Sequence, residues 1–175
     1  CLATIAKQNG YQISISKIRE IAGTDKQGTN AFGMIQAAEQ LGFSAKGVKG
    51  NKEAFFSEFP LPCIAHVIVN GNLMHYVVIH KITPKQIIIA DPAEGIVKLK
   101  PEEFFGEVTD GNKPPKYQWS GVLILLVKSD KFVKGKETQG LFQRFIHLLL
   151  PQKKLLLHIF LASMVYTILG ILGAF

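Results

Sequence analysis

Met74-His75-Tyr76-Val77-Val78-Ile79, followed by Ile87-Ile88-Ile89-Ala90-Asp91-Pro92, is the stretch that decides the fold. Both segments are short, rich in branched aliphatic residues and bounded by turn formers, so they read as consecutive strands of one hairpin. Thr83-Pro84 supplies the turn. The first strand opens with a histidine and the second closes on an aspartate. A histidine held by a carboxylate is a common device for activating a thiol or hydroxyl. If Thr83 is the turn tip, facing residues have numbers summing to 166, and His75 lies opposite Asp91 on one face. Their Cβ atoms would then be about 4.5–5.5 Å apart. If the turn runs from Thr83 to Gln86, the pair slips by three residues and cannot touch. The pattern alone leaves that register open. It also leaves open a plainer reading, a strand-edge histidine and an Asp-Pro turn residue.

Working outward, the residues before the hairpin read as helices. Cys1, Leu2, Ile5 and Ala6 suggest the end of a buried helix stopped by Asn9-Gly10. Ser14 is placed to cap a short helix carrying Ile15, Ile18, Ile21 and Ala22. Residues 23–30 form a polar loop, and Thr29 or Asn30 caps a helix with Met34, Ile35, Ala38 and Leu41 on one face, ended by Gly42. Phe43 to Val48 reads as a strand, and Asn51 caps a short helix through Phe55 and Phe56. Cys63 to Val69 is a continuous apolar run, as expected of a strand buried on both faces, and Asn70-Gly71-Asn72 turns it into the hairpin. Ile96 to Lys100 adds a strand, Pro101 starts a helix with Phe104 and Phe105, residues 109–118 are loop, and Ser120 to Lys128 closes the sheet. Helices followed by an antiparallel sheet predict an α+β domain.

The 175 residues are 47% hydrophobic, but unevenly so: residues 155–175 are almost wholly apolar. That run is about 30 Å long as a helix, enough to span a bilayer. Leu141 to Leu150 has an apolar face opposed by Gln143 and Arg144, as in an interfacial helix. The net charge is +7, and the excess gathers before the apolar run at Lys128, Lys131, Lys134, Lys136, Arg144, Lys153 and Lys154. This favours an anionic membrane surface over nucleic acid, since no aromatic–basic interleaving is present. The expected organisation is a domain over 1–128, a basic linker over 129–152 and a membrane helix over 153–175. The chain starts in mid-pattern without methionine and stops without a polar flank, so it reads as part of a longer protein.

Two cysteines are too few for a disulfide framework, their spacing fits no zinc site, and no phosphate-binding glycine loop occurs. Cys63 sits inside a strand and Cys1 in a helix, where free cysteine is usually a small hydrophobe. His66 lies in what reads as a core strand. His80, His147 and His158 have no evident partners.

Several motifs occur in one order. Gly23-Thr24 through Gly28-Thr29-Asn30-Ala31-Phe32-Gly33 has the form G-T-x-x-x-G-T-x-x-x-G, Leu61 to Val67 the form L-P-x-I-A-H-V, and His75-Tyr76 and Ile89-Ala90-Asp91-Pro92 follow. Together they resemble the N-terminal cysteine peptidase domain of bacteriocin-exporting ABC transporters, which cut double-glycine leader peptides. The resemblance implies a papain-like fold, with His75 and Asp91 catalytic. Cys1-Leu2-Ala3-Thr4-Ile5 looks like the helix after that family's Asp-Cys-Gly motif, so the resemblance puts the nucleophilic cysteine and the oxyanion-hole glutamine upstream of Cys1. Cys1 matches the second, non-catalytic cysteine, and the fragment is expected to be inactive in an active parent. The resemblance further implies a double-glycine peptide substrate, membrane lipid contact, a homodimer through the full transporter and no nucleic acid. No cofactor or metal is expected in this fragment, ATP and magnesium belonging to a nucleotide-binding domain elsewhere. The domain would sit on the cytoplasmic side of the cell membrane. The rival reading is a degenerate peptidase-like module that only docks substrate. A membrane-anchored basic domain that binds anionic lipid is a third.

Overall fold

Helix starts are written locally. The computed structural model describes residues 1–25, 28–109, 111, 113–137 and 149–173. In it α1 spans Leu2–Gln8, α2 Ile15–Ile21, α3 Ala31–Gln40 and α4 Lys52–Phe55. Ser14 Oγ accepts from Lys17 N at 3.2 Å, Asn30 Oδ1 from Gly33 N at 2.7 Å and Asn51 Oδ1 from Ala54 N at 3.0 Å. Each such cap is worth about 1 kcal/mol. Of the two caps offered for α3, Asn30 is the one used. Met34, Ala38 and Leu41 are buried as expected, Ile35 is half-buried, and Ala37 is fully enclosed.

The strands are β1 Tyr11–Ile13, β2 Phe43–Lys49, β3 Cys63–Val69, β4 Leu73–Ile82, β5 Ile87–Asp91, β6 Gly95–Leu99, β7 Tyr117–Lys128 and β8 Gly135–Glu137, with α5 (Pro101–Phe105) before β7. Six of them form one antiparallel sheet in the order β2-β7-β3-β4-β5-β6. The last long strand joins the sheet as expected, but inside it and not at an edge. β7 lies between β2 and β3, and it starts at Tyr117, inside the segment read as loop. Period-2 patterning tells which residues are strand but not where a strand inserts.

Each long strand serves two cores, because successive side chains point to opposite faces. Ile64, Val78 and Ile124 pack under α1, α2 and α3 with Leu2, Ile5, Ala6, Ile18, Met34, Ala37 and Ala38. Their neighbours Ala65, Val77 and Leu123 face the other way, toward Phe55 of α4 and Phe104 of α5. β3 is therefore buried on both faces, which accounts for its unbroken apolar run.

Residues 129–137 also belong to the first compact unit, which runs from Cys1 to Glu137. β8 pairs in parallel with β1, and Phe132 packs its ring against Phe43 at 4.7 Å. The expected boundary at 128 therefore falls short of Glu137. Most of the expected interfacial helix, residues 141–148, lies outside the described residues. The second unit contains a 3-10 turn, Leu150–Gln152, and helix α6, Lys153–Gly173. The most apolar 18-residue window of Leu150–Gly173 has mean hydropathy 2.3 and none of its residues is buried, so the segment is a candidate membrane span by length and composition. It carries no polar face, unlike an amphipathic surface helix.

Candidate active site

The β4–β5 hairpin sets the site, in a register neither sequence alternative anticipated. The turn does run from Thr83 to Gln86, with Thr83 N donating to Gln86 O at 2.9 Å. Ile82 faces Ile87 and Lys81 faces Ile88, but next Ile79 faces Ile89 and Val78 faces Ala90. His80 is the extra residue of a β-bulge. Without it, Asp91 would lie across from Val78, and His75 would point to the opposite face of the sheet. The extra residue sets Asp91 across from Val77 and restores parity with His75, two residues away on the same strand. Diagonal neighbours of this kind are about 7–8 Å apart at the backbone, within reach of an imidazole. His75 Nε2 lies 2.8 Å from Asp91 Oδ1. The expectation that this turn would separate the pair is thus overturned by the bulge, and the directly opposed register is replaced by a diagonal one. His80 itself turns its Nδ1 to Gln8 Nε2 of α1 at 3.4 Å.

Asp91 is buried, 4% exposed, and both of its oxygens are occupied. Oδ1 also accepts from Ala93 N at 2.7 Å, the two-residue bond typical of an aspartate at a turn. Oδ2 accepts from Tyr117 Oη at 2.8 Å. Burial pushes the Asp91 carboxyl up, but the Ala93 N–H, the His75 and Tyr117 bonds and the charge on His75 outweigh it, and it sits below the usual carboxylate range. Burial, then the bond to Asp91 and its charge, then the charge of Glu94 push the Tyr117 phenol well above its ordinary value. Tyr117 is therefore a permanent donor and Asp91 a permanent anion at neutral pH.

With Nε2 engaged, Nδ1 of His75 is the nitrogen left for proton exchange. His75 lines a cleft of about 540 Å³ together with Cys1, Asn30, His66 and Tyr76. The 23–33 motif builds one wall of it. Thr24 and Thr29 hydroxyls bond each other at 2.6 Å, and Asp25 and Gly28 exchange backbone bonds across the loop. Gly28 has φ +111°, and a Cβ on Gly33 would collide with Ala22 O. The motif's glycines thus serve the backbone: one permits the left-handed turn, the other the close seat of α3 on the end of α2.

Neither cysteine is set up as a nucleophile. Cys1 Sγ donates to Tyr76 O at 3.0 Å. Cys63 is fully buried, and burial pushes its thiol up to about 12, leaving it protonated. His66, read from sequence as a core residue, is half-buried and fronts the cleft. Ser120 Oγ donates to His66 O at 3.1 Å and so accepts from His66 Nδ1 at 2.7 Å, which leaves Nε2 unprotonated in the neutral ring. Ser120 reaches it because β7 carries extra residues between Trp119 and Leu123 opposite His66. Sequence reading missed Tyr117, whose only sign was an aromatic residue after the proline-rich loop. His158 lies exposed on α6, and His147 is outside the described residues.

Comparison with known proteins places this geometry. Residues 1–131 match the model of the Peptidase C39 family. The lactococcin-G-processing and transport ATP-binding protein of Lactococcus lactis subsp. lactis is 36% identical over 161 residues, 91% of this chain but 21% of that protein. The chain thus spans about a fifth of that relative's length. Among solved structures, the peptidase domain of Streptococcus ComA, a bifunctional ABC transporter involved in quorum sensing, superposes with TM-score 0.62 at 32% identity, covering 73% of this chain and 88% of that one. A double-glycine motif protease from an AMS/PCAT transporter, solved with its leader peptide, gives TM-score 0.58 at 29% identity over 71% of this chain and 79% of that one. An antiparallel sheet with helices on both faces, a His–Asp pair at a cleft and a family match across most of the chain agree: this chain belongs to the Peptidase C39 family.

Proposed function

We propose that this chain is the leader-peptidase part of a peptidase-containing ABC transporter, cutting double-glycine leaders from bacteriocin-like peptides during export. The observation that carries this reading is the 2.8 Å contact of His75 Nε2 with a buried, ionised Asp91 at the mouth of the cleft. A docking module would have no use for a charge held in the interior. Burying a charge is costly unless it is bonded, and here it is bonded three times over, once to an imidazole that faces the cleft.

In the proposed reaction a thiolate attacks the carbonyl carbon of the second leader glycine. The C–N bond breaks, and His75 Nδ1–H gives its proton to the departing amine. Water then attacks the thioester, returning a proton to Nδ1 and releasing the leader acid. Asp91 holds the ring with Nδ1 toward the cleft and stabilises the imidazolium. The family resemblance assigns the thiol to a residue preceding Cys1, and in keeping with it Cys1 Sγ is bonded to Tyr76 O and Cys63 is buried. Two glycines just before the cut suit a narrow cleft that excludes side chains, and an apolar leader helix would dock beside it.

The reading extends to the whole transporter. Helix α6 would be its first membrane helix, and Lys153 and Lys154 at its start favour a peptidase on the cytoplasmic side, against anionic lipid. ATP and magnesium are assigned to a separate nucleotide-binding domain, and the working unit is a homodimer. In the full-length protein, His75→Ala should abolish leader cleavage, followed by mass spectrometry, while leader affinity stays within about threefold. Cleavage at the normal rate in that variant removes His75 from the mechanism.

A further inference from the structure

We infer that Tyr117 is a positioning residue for the peptidase reaction, its hydroxyl holding Asp91 so that Oδ1 meets the His75 ring. The inference rests on the catalytic reading of His75 and Asp91 given above. A carboxylate turns easily about its last torsion, because terminal sp³–sp² rotations are broad. His75 and Ala93 N both engage Oδ1, so without Tyr117 no donor among the described residues would hold the second oxygen against that rotation. Tyr117 Oη meets Oδ2 at 2.8 Å, and donors on both oxygens define the carboxylate plane.

Tyr117 is itself held on every side. It is 1% exposed, it opens β7 opposite Val69 of β3, and Lys116 Nζ stands 5.6 Å from its ring centre. Lys116 in turn pairs with Glu94 at 2.6 Å, just past Asp91. Asp91 lies on β5, and β3 and β4 separate that strand from β7. The bond therefore ties Asp91 to a strand outside its own hairpin and reports the position of β7 to the site. The charged and titratable groups around it are Asp91, His75, Glu94 and Lys116. A buried phenol needs some acceptor, and a backbone carbonyl would serve equally for stability. Its choice of the oxygen that His75 leaves free is what links it to the reaction.

The test uses the full-length protein. Tyr117→Phe keeps the ring and removes one charge-assisted bond, so kcat for leader cleavage should fall about 10- to 100-fold with KM changed less than about twofold. The acid-side loss of kcat should begin at a higher pH, because a carboxylate stripped of a donor binds its proton more tightly. Replacing Tyr117 by 3-fluorotyrosine, a near-isosteric and more acidic donor, should keep kcat and move that acid limb to lower pH. This arm decides the matter if Tyr117→Phe fails to fold. An unchanged kcat and acid limb in Tyr117→Phe overturns the inference, as does a lowered melting temperature with kcat per folded molecule unaltered. An unmoved limb in the fluorotyrosine protein overturns it too. His75→Ala in the same assay separates the two claims. If it still cleaves, the catalytic reading itself has failed. If it is dead while the Tyr117 variants behave as wild type, only the role of Tyr117 falls.

Discussion

The sheet face under α1, α2 and α3 is closed by alanines and aliphatic side chains, whereas the opposite face is closed by rings. On the first, Ala6, Ala37 and Ala38 are fully buried, and small residues let the helices approach the strands closely. On the second, Phe55 contacts the rings of Phe56, Phe59, Phe104, Phe105 and Trp119. The His–Asp pair joins the two. His75 opens to the cleft in front of α1, while Asp91 is held by Tyr117, a member of the ring-lined cluster. One face supplies a polar cleft, and the other a dry anchor that keeps a carboxylate in place. Among the described residues, the buried charge of Asp91 lies where the ring-lined cluster supplies it a donor.

The sharpest way to break that division is Asp91→Asn. The amide keeps the volume but removes the negative charge that steadies the imidazolium, and kcat should fall on the order of 10²- to 10⁴-fold. That corresponds to about 3–5 kcal/mol of transition-state stabilisation. Single-turnover cleavage by the full-length variant measures it, and near-normal turnover would make the carboxylate an anchor only. Phe55→Ala attacks the other face. Emptying a fully buried ring site should cost about 3–5 kcal/mol of stability, read as a lower urea midpoint. Because Phe55 does not line the cleft, catalysis by the folded fraction should persist. A drop in kcat per folded molecule would show that the ring-lined face does more than support.

These two residues also mark what was legible in the sequence. Helix starts at Ser14, Asn30 and Asn51, the strand runs and the Asn70-Gly71 turn were readable because caps, period-2 patterns and tight turns act over a few residues. His75 and Asp91 were identified as a pair, but their alignment was not, since one bulged residue, His80, decides which face each side chain takes. Tyr117 was invisible for the same reason. Its partner lies 26 positions away, its own strand β7 inserts out of chain order, and no local pattern encodes that insertion. β1 and β8 pair in parallel across nearly the whole first unit, so residues 129–137 read as linker when seen alone.

The smallest effect expected concerns His66, the cleft histidine on the strand beside His75. Burial lowers its proton affinity, and the bond to Ser120 sets the tautomer of its neutral ring, with the proton on Nδ1. Its folded pKa therefore lies below the ordinary value of about 6.5 that applies to the unfolded chain. As pH falls through 6.5, the unfolded chain takes up a proton that the folded one refuses, so the unfolding free energy declines with pH until the folded pKa is passed. One proton sets a ceiling of about 1.4 kcal/mol per pH unit, and a half-buried ring delivers only part of it. His66→Asn can keep a bond to Ser120 Oγ without titrating. The slope of urea midpoint against pH just below 6.5 should therefore flatten in that variant, while wild type and variant run parallel above pH 7. Equal slopes in that window would mean that His66 takes up its proton as readily folded as unfolded, and that the helix-covered face is more open to water at this rim than its packing implies.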